Sequence, residues 1–245
     1  MIDRRHLLGS LAAVAVPSLA MAQDWGYDGP AGPDRWGLIR PDWQACMAGQ
    51  EQSPVDLIDA VRADLPMLAL SSQPVEGRAV YSGGLVVETG AGCRFTLAGD
   101  RFELQFYRFH HPSEHAIGGQ RANMEMQFWF RQASTGRWCA LATMIVEGAA
   151  HAALGSVLDL RPAMGSPVAA PMLDPTSLMP RNRQAYWRYQ GSMTTPPCAE
   201  VVLWTVLREP VQASREQIVR FTEAYPANAR PLVPMGRRFL LSSGA

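Results

Sequence analysis

The sequence has no excess of either charge, no apolar run long enough to span a membrane, no short cysteine knuckle and no internal repeat. Each absence excludes a class of protein. Acidic and basic residues number 22 each, so no global field gathers nucleic acid or an anionic membrane surface. The apolar stretch from Leu7 to Leu19 is too short and too interrupted to read as a membrane span. Cys46, Cys93, Cys139 and Cys198 lie far apart and lack the Cys-x-x-Cys spacing of a zinc knuckle. No low-complexity linker divides the chain, which reads as one domain.

What is present suits a sheet protein. A chain of 245 residues with 47% hydrophobic content buries a substantial core without help from metal or disulfides. Residues 1–22 read as a signal peptide: Arg4-Arg5 precede the apolar run, and Ala20-Met21-Ala22 supplies a small-x-small cleavage site. Asp3-Arg4-Arg5-His6-Leu7-Leu8 also resembles a twin-arginine signal. Cleavage leaves a domain of residues 23–245 with 20 basic and 21 acidic residues, a formal charge of −1. A periplasmic or secreted location makes the cysteines disulfide candidates. Four cysteines allow three complete pairings, and spacing alone does not choose among them. Buried free thiols are the alternative, for Cys93 and Cys139 in particular.

The mature start, Gln23 to Pro54, is rich in Trp, Gly and Pro and reads as an anchored arm rather than a long helix. Gly83-Gly84 marks a turn before a short strand, Leu85 to Glu88. Strands are predicted over Glu103–Phe109 and Met124–Phe130, with a doubly covered strand over Ala140–Val146. Five prolines between Asp159 and Gln184 predict irregular chain with short helical turns. Glu200–Arg208 reads as a central strand. Val211–Tyr225 is the best helix candidate, with Ser214 as its cap and Ile218, Phe221 and Tyr225 at helical spacing.

Several segments, in order, carry a family resemblance: Trp25-Gly26-Tyr27, Gly32-Pro33-Asp34-Arg35-Trp36, Glu51-Gln52-Ser53-Pro54, Phe109-His110-His111-Pro112-Ser113-Glu114-His115, Tyr186 through Cys198, and Asn228-Ala229-Arg230-Pro231-Leu232. Together they resemble the alpha-class carbonic anhydrases in their exported bacterial form. The resemblance implies a mainly β (α+β) single domain: a central, mostly antiparallel twisted sheet of about ten strands, small peripheral helices and a conical cleft. It also implies a disulfide between Cys46 and Cys198. Closing a loop of roughly 150 residues would contribute about 4–5 kcal/mol by chain entropy.

The family's zinc site needs three neutral imidazoles and an open fourth position for an ionisable water. Residues i and i+2 of a strand share a face, so a His-x-His pair and one histidine on the neighbouring strand surround the ion. By resemblance these positions are Arg108, His110 and Gln127 here, and only His110 is an imidazole. Arginine is a permanent cation without an acceptor, so no metal and no cofactor are expected. Adjacent His111 should face the other way. Other family positions have diverged as well. Gly84 replaces the proton-shuttling histidine, and Trp129 occupies a pocket position commonly held by a small aliphatic residue, beside Met193 and Trp204. Thr194 and Glu114 match the hydroxyl–carboxylate pair that orients zinc hydroxide and read as vestigial. Gln52, Ser53, His115, Glu125 and Tyr189 match supporting polar positions around it.

A buried Arg108 calls for a carboxylate, Glu125 first and Glu114 second. Partly exposed, it would instead bind a small anion. The animal carbonic-anhydrase-related proteins, some with the same Arg and Gln replacements, are associated with noncatalytic protein binding. The sequence therefore points to a pseudoenzyme, a binding or scaffold protein with an unknown protein partner or a small anion as ligand. An atypical carbonate dehydratase or esterase is the alternative.

Overall fold

Alternation of burial along residues 94–97 and 101–104 marks strands covered on one face, and continuous burial along residues 124–130 marks a strand covered on both. The computed structural model describes residues 24–244; the signal peptide expected over residues 1–22 lies outside the described residues. The strands are β1 (Val61–Ala63), β2 (Ala69–Ser71), β3 (Val75–Tyr81), β4 (Leu85–Thr89), β5 (Arg94–Leu97), β6 (Asp100–His110), β7 (Ala116–Ile117) and β8 (Gln120–Arg121). They continue as β9 (Met124–Arg131), β10 (Trp138–Glu147), β11 (Val168–Leu173), β12 (Tyr186–Gly191), β13 (Val202–Leu207), β14 (Val211–Ala213) and β15 (Leu241–Ser243). The main sheet runs β1-β15-β12-β13-β10-β9-β6-β4-β3-β11, with β14 beside β10 and β5 joining β2 to β6. Only β1–β15, β10–β13 and β10–β14 are parallel, so the sheet is mostly antiparallel, as the resemblance implied. Among the described residues no helix is long and apolar enough to cross a membrane.

Two sequence expectations need correction. The helix candidate at Val211–Tyr225 begins later: Val211–Ala213 is strand β14 against β10, and the helix is Arg215–Ala224. Ser214 does cap it, in a reciprocal capping box with Gln217. The second correction lies in the proline-rich stretch, which holds strand β11 as well as the short turn Pro175–Leu178. Pro171 is tolerated there because β11 is an edge strand whose register shifts between Ala170 and Leu173.

One face of the sheet carries an aromatic core that includes Phe95, Phe102, Phe128, Phe130 and Phe221. The other carries Trp129, Tyr189, Trp204 and Val55. The N-terminal arm forms short helical turns in which Trp25, Tyr27 and Trp36 meet edge to face. A Cys46–Cys198 disulfide, spanning 152 residues of sequence, ties this arm to the loop after Thr194. Cys93 and Cys139 are buried free thiols.

Candidate functional site

Strand β6 presents Arg108 and His110 on one face, and β9 sets Gln127 opposite Arg108 and Glu125 opposite His110. The side chains predicted to share one site are therefore brought together. Their contacts are not those of a metal centre.

Gln127 is fully buried. Its amide nitrogen donates to Glu114 Oε2 at 2.8 Å and to Glu125 Oε1 at 2.9 Å, and its oxygen accepts the Trp129 indole N–H at 3.2 Å. Chemistry fixes this amide orientation, because two carboxylates need a donor and an indole N–H needs an acceptor. His110 donates from Nδ1 to the Asn228 carbonyl at 2.7 Å, and its Nε2 lies 3.3 Å from Glu114 Oε2. Burial, first of all, holds the His110 pKa below its ordinary value, with the Arg108 charge acting in the same direction. His111 points away, as expected, with Nε2 2.7 Å from the Tyr225 carbonyl.

Arg108 is 6% exposed, yet among the described residues it forms no ion pair. Its Nη1 reaches Thr195 Oγ1 at 3.3 Å, its Nη2 reaches the Ser82 carbonyl at 3.5 Å, and its Nε has no partner. Neither expected carboxylate takes it. Glu125 accepts from the His115 backbone N–H at 2.8 Å, from His115 Nδ1 at 2.9 Å and from Gln127. Glu114 accepts from Gln127 and from the Arg230 backbone N–H at 3.3 Å. Both acceptors are already committed to donors with better reach.

A polar frame surrounds these side chains. His115 Nε2 meets the Tyr189 hydroxyl at 2.7 Å, and that hydroxyl donates to Ser53 Oγ at 3.0 Å. Gln52 donates to the Cys198 carbonyl at 3.0 Å and accepts from Arg230 Nη1 at 2.8 Å. One link of this apparatus is broken. Thr194 is fully buried but its Oγ1 has no partner among the described residues, so the Thr194–Glu114 pair is not hydrogen-bonded. The Gln127 amide occupies the Glu114 oxygen instead.

Trp129 packs edge to face on Trp204 at 5.3 Å and stacks on Phe106 at 5.8 Å, with Met193 against the same cluster. The pocket position is thus filled by an indole. Gly84 has φ +141°, and a Cβ there would meet Asn228 Nδ2 at 2.3 Å. Four residues near the site were given no role from sequence: Tyr27, Thr195, Asn228 and Arg230. The signal was available for all four, since each stands in a motif that carried the resemblance. Among the described residues there is no group of three or more His, Cys, Asp or Glu that would hold a metal ion.

The family model for eukaryotic-type carbonic anhydrase matches residues 31–239. A carbonic anhydrase of Pectobacterium atrosepticum is 35% identical over 240 residues, covering 94% of this chain and 96% of that protein. The alpha-carbonic anhydrase of Thermovibrio ammonificans, solved with sulfanilamide, superposes with a TM-score of 0.85 at 34% identity, over 90% of this chain and 99% of that one. Dioscorin, solved in complex with ascorbate, gives a TM-score of 0.83 at 29% identity, over 89% of this chain and 97% of that one. The family model, the relative's sequence and the superposition agree: the chain belongs to the eukaryotic-type (alpha) carbonic anhydrase family.

Proposed function

We propose that this protein is an exported carbonic-anhydrase-like pseudoenzyme that has lost zinc-dependent CO2 hydration and works as a binding protein. The observation that carries this reading is the donor set at the former metal position. Arg108 brings a permanent cation with no lone pair. Gln127 turns its nitrogen to two carboxylates and commits its oxygen to Trp129. Only His110 offers a nitrogen lone pair. Repulsion between a guanidinium and a divalent ion about 4 Å away, at an effective dielectric of about 20, is about 8 kcal/mol. One imidazole does not offset that, and zinc does not fit these residues.

Export is supported by the Arg4-Arg5 apolar segment and by the Cys46–Cys198 disulfide, which suits an oxidising compartment. The binding role is supported by dioscorin, a relative of this fold solved with ascorbate, a small organic ligand.

Metal analysis and CO2 hydration kinetics of the mature protein, after incubation with zinc and dialysis, test the proposal. The expected result is substoichiometric zinc and hydration no faster than buffer. Stoichiometric zinc with rapid hydration overturns it.

A further inference from the structure

The floor of the cleft holds more polar atoms than its hydrogen bonds use. Arg108 Nε, Thr194 Oγ1, Tyr27 Oη and His110 Nε2 are each buried and lack a hydrogen-bond partner among the described residues. The first three carry donatable protons. A buried donor left unpaired costs about 1–3 kcal/mol, and more when it is charged. Three such donors in one place do not serve stability.

They also sit together. Arg108 Nη1 reaches Thr195, the residue after Thr194, and His110 lies two residues along the same strand face. The Tyr27 hydroxyl is close enough to Arg108 for the guanidinium charge to oppose the upward push of burial on its pKa. A cavity of about 270 Å³, lined by Trp25, Tyr27, Gly83 and Asn228 among others, shares Tyr27 with this group. Ser82, next to Gly83, accepts from Arg108, and the Asn228 carbonyl holds His110.

We infer that this floor is a metal-free site for a small, singly charged carboxylate-type oxyanion, held by Arg108 Nε–H and the hydroxyls of Thr194 and Tyr27. The chemistry is shared by small organic carboxylates and by hydrogencarbonate. Arg108 supplies a positive charge that no carboxylate contacts directly, because the oxygens of Glu125 and Glu114 accept from other donors. With the Glu114 carboxylate close by, a dianion is disfavoured. The site rests on the reading that no zinc occupies this position.

Calorimetric titration of the mature protein with sodium acetate, and separately with sodium hydrogencarbonate, tests the site against sodium chloride and sodium sulfate at matched ionic strength. Saturable binding of acetate, hydrogencarbonate or both is expected, and which of them binds identifies the source. Arg108→Gln should weaken binding by about tenfold or more, as loss of a charge-assisted hydrogen bond does. Tyr27→Phe and Thr194→Val should each weaken it about fivefold, as loss of one neutral hydrogen bond does. These two variants keep the test intact if Arg108→Gln fails to fold. No binding of either monoanion overturns the inference, as does affinity unchanged in the folded variants or sulfate bound more tightly than both. Zinc analysis of the same sample separates the two readings. Stoichiometric zinc sinks the proposed function beneath this one, whereas zinc-free protein that ignores both monoanions sinks this inference alone.

Discussion

The Gln127 side-chain carbonyl accepts the Trp129 indole N–H at 3.2 Å. Two replacements that look independent along β9 are thereby one contact, made possible because residues i and i+2 of a strand share a face. The indole takes the oxygen that Gln127 would need as a metal donor. The two carboxylates, Glu114 and Glu125, take its nitrogen. Trp129 at the same time fills the pocket against Trp204 and Phe106. The side-chain amide of Gln127 and the packed indole of Trp129 are therefore held by one hydrogen bond.

Restoring imidazoles should restore a metal site, because the strand register that places Arg108, His110 and Gln127 together is intact. The double variant Arg108→His, Gln127→His is expected to retain zinc through dialysis, with each single variant retaining little. CO2 hydration should stay slow in the double variant, since Trp129 still fills the pocket and Gly84 still replaces the shuttle. Metal analysis and stopped-flow hydration measure the two outcomes separately. Rapid hydration by the double variant would count against the role assigned to Trp129.

Position 84, where the resemblance expects a proton-shuttling histidine, does not take a side chain easily. Gly84 has φ +141°, where side chains are strained, and its Cβ would lie 2.3 Å from Asn228 Nδ2. That nitrogen donates to the carbonyls of Gly83 and Phe109, and the Asn228 carbonyl holds His110. Gly84→His is expected to destabilise the fold by about 1–3 kcal/mol from backbone strain, with displacement of Asn228 in addition. Urea unfolding measures the loss. An unchanged midpoint would mean that the loop relaxes freely.

Much of the site was legible in the sequence because its positions hang on motif order and strand register. Arg108, His110 and Gln127 followed from the resemblance, and the strand register places them together. The Cys46–Cys198 bond followed from the resemblance alone. The partner of Arg108 was not legible, because acceptor capacity is a property of the whole network. Whether Glu125 is free depends on His115, and whether Glu114 is free depends on Arg230, which is distant in sequence. Strand β11 was hidden for another reason: five prolines dominate its neighbourhood, and only its place at the sheet edge makes Pro171 acceptable.

Glu125 sets an acid limit on stability. Burial pushes its pKa up, but the His115 charge and hydrogen bonds from His115 and Gln127 outweigh that and pull it from the ordinary 4.5 down to about 2. A carboxylate depressed in the folded state stabilises above its unfolded pKa and loses that contribution as pH falls through the folded value. Stability should therefore decline as pH drops from about 4.5 toward about 2, the unfolded chain binding the proton more readily. Glu125→Gln should be less stable at neutral pH and should show a flatter acid limb in urea midpoints. An equal slope in both proteins would show that other groups control acid unfolding.

The disulfide closes a loop of 152 residues. The chain-entropy relation gives about 5 kcal/mol for such a loop, an upper bound because reduced states retain structure. Cys46→Ala with Cys198→Ala is expected to lower the unfolding free energy by about 2–5 kcal/mol. Thiol titration provides an independent check. The unreduced protein should show its two free thiols, Cys93 and Cys139, only after denaturation, because both are buried. Four titratable thiols without reductant would rule out the bond.

Two buried arginines near the cleft differ in what they hold, and removing them should separate function from stability. Arg230 donates to Gln52 Oε1 at 2.8 Å and to the carbonyls of Ser53 and Cys46 at 2.7 Å each. Arg230→Met leaves those acceptors unpaired in the interior and should cost about 3 kcal/mol or more, since each orphaned buried group costs about 1–3. Among the described residues Arg108 makes long contacts to Thr195 and Ser82, approaches the Tyr27 hydroxyl, and has an unpaired Nε. Replacing a buried charge that lacks a partner with an apolar side chain of similar length is neutral or stabilising, whereas breaking a true buried pair costs about 3–5 kcal/mol. Arg108→Met is therefore expected to leave the urea midpoint unchanged or raised. A loss comparable to that of Arg230→Met would mean that Arg108 is paired with a carboxylate in solution, and the cleft floor would then have no free positive charge to offer a ligand.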